Sequence, residues 1–579
     1  MQKKQTILVV ASLLVVVLSV TLAYFTAQII GEGKNISVSS ADLKIVFTDT
    51  DGNIEGNDIT PGWSNSKTFT VKNDSNGTYK YDIIIKDLVN TFKTYKYLQY
   101  KITSTDGGYN MTDYSYLPKS STKEDVALAY EISIDKGKTH TYTIEIKYVN
   151  DEYVDQSIDM NKNLSGTIYI REFTKPIMKL TDKLMADNPT IGTRTTFTAF
   201  TETNTKRLYK ATEQIGTNVS KDVYYFAGDA KNNWVKFGKT TEGSCTYKGK
   251  EVVYADMTNQ IERNPENETE CTSTNICDVG EHGYAIGLTE SECSNIPGTK
   301  WTTEKAIWNV IAIKDIYWRI IRTNADGSIK LLYAGTSLDT TTGYIGASKF
   351  NTAKNDPMYV GYKYGTTGSL ENNRLNTNNS TIKTYVDNWY KNNLTDYTKY
   401  LSKDAVYCND RNLASGETYS TTNFFTYAPY ERISTNKQPT YNCTNVSDAF
   451  SVNNTSAKLD YPVGLMTIDE LSYAGGQALT ELTAPYAWYY TNANGESITG
   501  DEEPWSLSPS YLYTVWGWEG SYGPGGLRNG DNEEVNNQRV DKFHAVRPSV
   551  SLLSCNLISR GDGSPENPYV VYTGSGVCE

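Results

Sequence analysis

The 579-residue chain predicts a mainly β protein with an α+β C-terminal part, led by an N-terminal transmembrane helix. Three observations carry that expectation. An uncharged apolar run opens the chain, period-two alternation between short polar turns fills residues 35–172, and all eight cysteines with nine of the ten tryptophans fall after residue 230.

The apolar run covers residues 7–25 and follows Lys3 and Lys4; as a helix it spans roughly 28 Å, close to the thickness of a bilayer core. The paired lysines place the preceding end in the cytoplasm and the rest of the chain outside. Residues 1–30 therefore read as a signal anchor or a signal peptide. Thr21 and Ala23 form a small-x-small site with cleavage at Ala23, whereas the run is longer than the usual ~7–15 residues of a secretory core, so release and anchoring both remain open.

Phe69 and Val71, then Tyr142, Ile144, Ile146 and Tyr148, then Ile168 and Ile170 alternate with polar residues, as half-buried strands do. Asp51-Gly52, Asn76-Gly77 and Asp106-Gly107 supply turns between them, so residues 35–172 predict a β-sandwich. The string TDTDGN at 48–53 is a turn and not an EF-hand loop, because Phe47 stands where the first acidic ligand belongs.

TLAYFT at 21–26, ADLKIVF at 41–47 and ITPGWSNSKTFTVKNDSNGTYKYDIII at 59–85 resemble the TasA/camelysin-type matrix proteins of Gram-positive bacteria. The resemblance implies a jelly-roll domain, export through a dedicated signal peptidase, and self-assembly in which a terminal strand enters the next subunit. A plain stalk that displays the rest of the chain fits the same residues.

Residues 173–220 read as a connector carrying one short helix, KPIMKLTDKLMAD, with Ile177, Leu180 and Leu184 on one side. The C-terminal part, 221–579, contains a hairpin, YWRIIRTN and SIKLLYAG around Ala325, Asp326 and Gly327. A helix follows, with Ser380 as cap and Ile382, Val386, Trp389 and Tyr390 on one face. Thr467 and Glu470 form a capping box before a second helix.

Eight cysteines in an exported chain predict four disulfides among Cys245, Cys271, Cys277, Cys293, Cys408, Cys443, Cys555 and Cys578. Cys408 with Cys443 and Cys555 with Cys578 each enclose a single excursion of the chain and are the expected pairs. Zinc on Cys271, Cys277, His282 and Cys293 is the alternative, weakened by the lack of a C-x-x-C knuckle.

WSLSPS at 505–510, the glycine-rich stretch after it and AVRPSVSLL at 545–553 resemble the C-type-lectin-like fold found in formylglycine-generating-enzyme-like and retroelement-diversified ligand-binding domains. With YWRIIR, TYVDNWYKNNL, YCNDR and PVGLMTIDE in this order, the pattern looks like an extracellular domain of gut bacterial surface proteins. That resemblance implies a disulfide-containing C-type-lectin-like domain over 221–579 with its ligand site on loops. Trp505, Trp516, Trp518, Tyr522, Arg528 and Asn529 are the candidate ligand-binding residues, because flat aromatics beside amide and guanidinium groups suit sugars or peptide surfaces. Tryptophans buried in a core, with glycines serving tight turns, fit the same string.

Composition limits the alternatives. Lys and Arg total 55 against 67 Asp and Glu, a net charge of -12, so nucleic acid is not an expected partner. The 45 tyrosines argue for packed structure over disorder. Only three histidines occur, no G-x-S-x-G is present, and no residue set demands a cofactor or catalytic metal. Formylglycine-generating chemistry lacks its cysteine pair, and lectin-type calcium binding lacks its E-P-N and W-N-D strings. The expectation is a cell-surface adhesin or fibre-tip protein that binds a glycan or a host or matrix protein and contacts the membrane through its N-terminal helix. A biofilm-matrix fibre subunit is the second reading and an extracellular enzyme the third.

Overall fold

The computed structural model describes residues 60–578 with short interruptions, the longest at 526–535, together with two strands at 35–39 and 44–49. The expected membrane segment at 1–30 and its Ala23 site lie outside the described residues. Among the described residues no helix is long and apolar enough to cross a membrane. The chain divides into two compact units, Met1–Lys175 and Pro176–Glu579.

Among the described residues the first unit has nine strands: β1 (Asn35–Ser39), β2 (Lys44–Asp49), β3 (Ser64–Asn73), β4 (Tyr79–Asn90), β5 (Leu98–Ser104), β6 (Ser115–Tyr116), β7 (Ser120–Ile134), β8 (Thr139–Tyr148) and β9 (Leu164–Glu172). They form a six-stranded sheet in the order β1-β2-β3-β8-β5-β6 and a three-stranded sheet in the order β7-β4-β9. Neighbouring strands run antiparallel, with Phe69 opposite Tyr142 and Ile102 opposite Ile144. Alternation sends Phe69, Val71, Tyr142, Ile144 and Ile146 inward from one sheet, to meet Ile83, Ile85, Ile168 and Ile170 from the other. Burial of that apolar surface holds the sandwich together, at about 25 cal/mol per Å² removed from water.

The second unit begins before the connector expected at 173–220 ends. Residues 180–187 are helical, with Leu180 and Leu184 buried. Leu180 N–H donates to the Asn556 carbonyl at 2.9 Å, and Thr190–Thr193 pairs in parallel with Arg207–Glu213, which pairs in turn with Lys221–Tyr225. An apolar helix face requires a partner surface, and this one finds it inside the second unit, so 176–220 are part of that unit and not a linker.

A large twisted sheet runs through the unit. The expected hairpin is present, with Trp318 opposite Tyr333 and Arg319 opposite Leu332, and Gly327 supplies the positive φ of its turn. Ile329–Tyr333 continues to Pro548–Leu552, which also pairs with Val463–Leu465. The helix Thr381–Asn393 is capped by the Ser380 hydroxyl and buries Ile382, Val386, Trp389 and Tyr390. Thr467 and Glu470 complete both halves of a capping box on Ile468–Ala474, and Gly475 ends that helix in a left-handed conformation.

Between the paired strands Trp234–Tyr247 and Ile307–Thr323, residues 248–306 form a small module that the sequence did not announce. Cys245–Cys271 and Cys277–Cys293 staple it around Tyr247, Val252, Ile276 and Ile286. Because Cys271, Cys277 and Cys293 are engaged in disulfides, the zinc alternative is closed. Cys408–Cys443 and Cys555–Cys578 complete the set, with Cα separations of 5.8 and 5.3 Å. Four disulfides suit an oxidising, extracellular environment.

Candidate functional site

The stretch that the sequence marks for ligand binding is organised by a four-stranded antiparallel sheet: Phe425–Thr426, Tyr511–Thr514, Trp518–Gly525 and Asn536–Arg539. Trp518 and Tyr522 therefore belong to a paired strand and not to an irregular loop, with Trp518 opposite Thr514. The glycines do not prevent pairing there, because the neighbouring strand supplies the hydrogen bonds that fix the backbone. Trp516, Arg528 and Asn529 lie outside the described residues.

Trp505 takes another role. It is 2% exposed, its indole N–H donates to the Ser348 carbonyl at 2.7 Å, and its ring packs edge-on against Phe350 and His544. With its one donor satisfied and its faces covered, Trp505 is a core residue and leaves the ligand set.

Beside the same sheet lie aromatic residues that sequence reading missed. Phe424 is 51% exposed, its ring centroid 5.8 Å from that of Tyr511. Tyr430 packs on Tyr511 at 5.4 Å and is half-buried. The next residues, Phe425 and Tyr427, point inward and are fully buried, so strand alternation forces Phe424 outward. Thr422 and Asn423 are exposed beside it, with both backbone N–H groups donating to the Ser420 hydroxyl at 3.0 and 2.8 Å. That Ser turn fixes the approach to Phe424. The available signal was the uncharged string TYSTTNFFTYAPY at 418–430, which adjoins the hairpin only in the folded chain. An exposed aromatic cluster rimmed by hydroxyl and amide groups can stack on an apolar ligand face while bonding its polar edge.

A second polar site lies deeper. A cavity of about 20 Å³ is bordered by Glu213, Arg322, Lys330, Asp410, Arg432 and Glu470. It has room for one water and none for an organic ligand. Arg322 bonds Glu213 and Glu470 at 2.9 Å each, Lys330 reaches Glu470 at 2.7 Å, and Arg432 spans Asp469 and Asp410 at 2.8 Å each. Burial raises the Glu470 carboxyl, but Lys330 and Arg322 more than offset it and hold the group below its ordinary value. Burial dominates at Asp410 and leaves that carboxyl raised despite Arg432. The cluster ties the helix Ile468–Ala474 to the sheet; its groups are engaged with one another, as a structural network requires.

No family model matches the chain, and no curated protein matches it.

Proposed function

We propose that this chain is a bacterial cell-surface protein, an adhesin or fibre-tip protein, whose C-terminal unit is a lectin-like domain that binds a glycan or a host or matrix protein. The N-terminal segment anchors it or releases it to the matrix, and a jelly-roll sandwich serves as stalk. The supporting observation is exposed Phe424, packed with half-buried Tyr511 and Tyr430 beside the sheet that also contains Trp518 and Tyr522. Four disulfides fit a domain displayed outside the cell.

The test is a glycan and matrix-protein array probed with the whole chain and with a Phe424→Ala, Tyr430→Ala variant of unchanged unfolding profile. Selective binding that weakens at least about tenfold in the variant supports the reading, since exposed aromatic anchors carry a large share of such affinities. Absence of binding by the parent chain overturns it.

One observation favours the fibre-subunit reading. Among the described residues β7 and β9 each pair only with β4, so the three-stranded sheet has two open edges opposite a six-stranded partner. Open edges accept a further strand. Sedimentation that finds only monomers across salt and pH would remove this reading.

A further inference from the structure

Two of the fully buried arginines in the second unit are held differently from the others. Arg411 places all its donors, with Nε on Asp448 at 2.7 Å and its terminal nitrogens on four oxygen acceptors between 3.0 and 3.1 Å. Arg322 is bonded by two carboxylates. Among the described residues Arg319 and Arg547 have no carboxylate in hydrogen-bond contact. Arg319 donates to Asn233 Oδ1 at 2.6 Å and to the carbonyls of Thr491 and Ala230 at 3.0 and 2.8 Å. Arg547 donates through Nε to the Tyr333 carbonyl at 3.1 Å and through Nη1 to the Tyr489 carbonyl at 2.9 Å, while its Nη2 is buried with no acceptor among the described residues.

The two heads converge on one stretch of chain. Arg319 lies over the rings of Trp234 and Trp488 at 4.2 and 5.6 Å, and Arg547 over Tyr489 at 4.8 Å. A guanidinium does not deprotonate in a protein, so two positive charges are fixed in an apolar interior. Carbonyl dipoles solvate them in part. Asp229, the acid that acts on Arg319 from a distance, is itself paired with Lys231 at 2.5 Å. Water could satisfy the open Nη2 donors but would leave the net charge, and buried charges are ordinarily compensated by an opposite one.

We propose that a monovalent anion of chloride size binds against Nη2 of Arg547, between the Arg547 and Arg319 heads, as an integral part of the second unit's core. It completes the donors that protein groups leave open and cancels half of the buried charge. Burial first, and then repulsion by Arg547, push the Arg319 guanidinium down from its ordinary value, and the same ion offsets both by favouring the charged form. The anion links the strand of Arg319 to the AVRPSVSLL segment, so its role is structural and independent of the aromatic face.

Thermal unfolding of the full chain in sodium chloride, sodium bromide and sodium gluconate at equal ionic strength tests this. The Tm of the second unit should be higher in both halides and rise by roughly 2 °C per tenfold halide once the site is saturated, because only the folded state binds the ion. Arg547→Met should have the same Tm in all three salts. Identical Tm values for the parent chain in chloride and gluconate overturn the proposal. Should Arg547→Met not fold, bromide anomalous diffraction from the parent chain decides: a peak in hydrogen-bond contact with Arg547 Nη2 supports the site, and a water there refutes it.

Discussion

His140 is 6% exposed, its Nδ1 lies 2.9 Å from the Tyr81 hydroxyl, and that hydroxyl lies 2.7 Å from the Tyr142 hydroxyl. Burial lowers the imidazole pKa, opposed in part by Asp106 and Asp135. The unfolded chain therefore binds this proton more tightly than the sandwich does. Its contribution to stability is complete above about pH 6.5 and is lost as pH falls through the lowered folded-state pKa, with a slope of at most about 1.4 kcal/mol per pH unit. Tm of the first unit should fall across that window, and His140→Gln should flatten the profile; an unchanged profile in the variant would remove His140 as its cause. Trp505 gives a second test at this scale. Trp505→Ala should cost about 3–5 kcal/mol in denaturant unfolding, the penalty of deleting a buried aromatic side chain. A loss of ligand binding at unchanged stability would return it to the site.

At the scale of elements, Glu470 performs three tasks with one carboxylate. It closes the capping box on Ile468–Ala474, pairs with Arg322 and pairs with Lys330 on a neighbouring strand. Lys330 is 1% exposed, so removing its partner strands a buried ammonium. Glu470→Ala should destabilise the second unit by about 3–5 kcal/mol, whereas Thr467→Ala, which removes only the cap, should cost about 1 kcal/mol. Equal losses in chemical denaturation would show that the ion pairs add nothing to the cap. The module at 248–306 follows a different rule, since a segment this small has little core of its own and depends on its two disulfides.

For the whole molecule, two compact units imply two unfolding transitions. All eight cysteines lie in the second unit. Reduction should therefore lower the Tm of one transition and leave the other in place, each lost cross-link being worth about 3 kcal/mol. A single cooperative transition, or a reductant effect on both, would contradict this division in scanning calorimetry. The division also separates the two functional readings, since array binding reports on the second unit and strand exchange on the first.

The sandwich strands were legible because period-two burial is written directly into residues such as Tyr142, Ile144 and Ile146. The caps at Ser380 and Thr467 and the 325–327 turn were legible because their chemistry spans only a few residues. The pairs Cys408–Cys443 and Cys555–Cys578 each close a short excursion. Tertiary structure alone decided the rest. It built residues 180–187 into the second unit, because an amphipathic helix does not encode which surface covers it. It buried Trp505 and exposed Phe424, since a polar or empty environment is set by residues distant in sequence, here Ser348 and Tyr511. It brought Glu213, Arg322 and Glu470 together although Glu213 and Glu470 are far apart in the chain, and left Nη2 of Arg547 without an acceptor among the described residues. Local pattern determines which face of an element is apolar; long-range packing determines what that face, and each buried charge, meets.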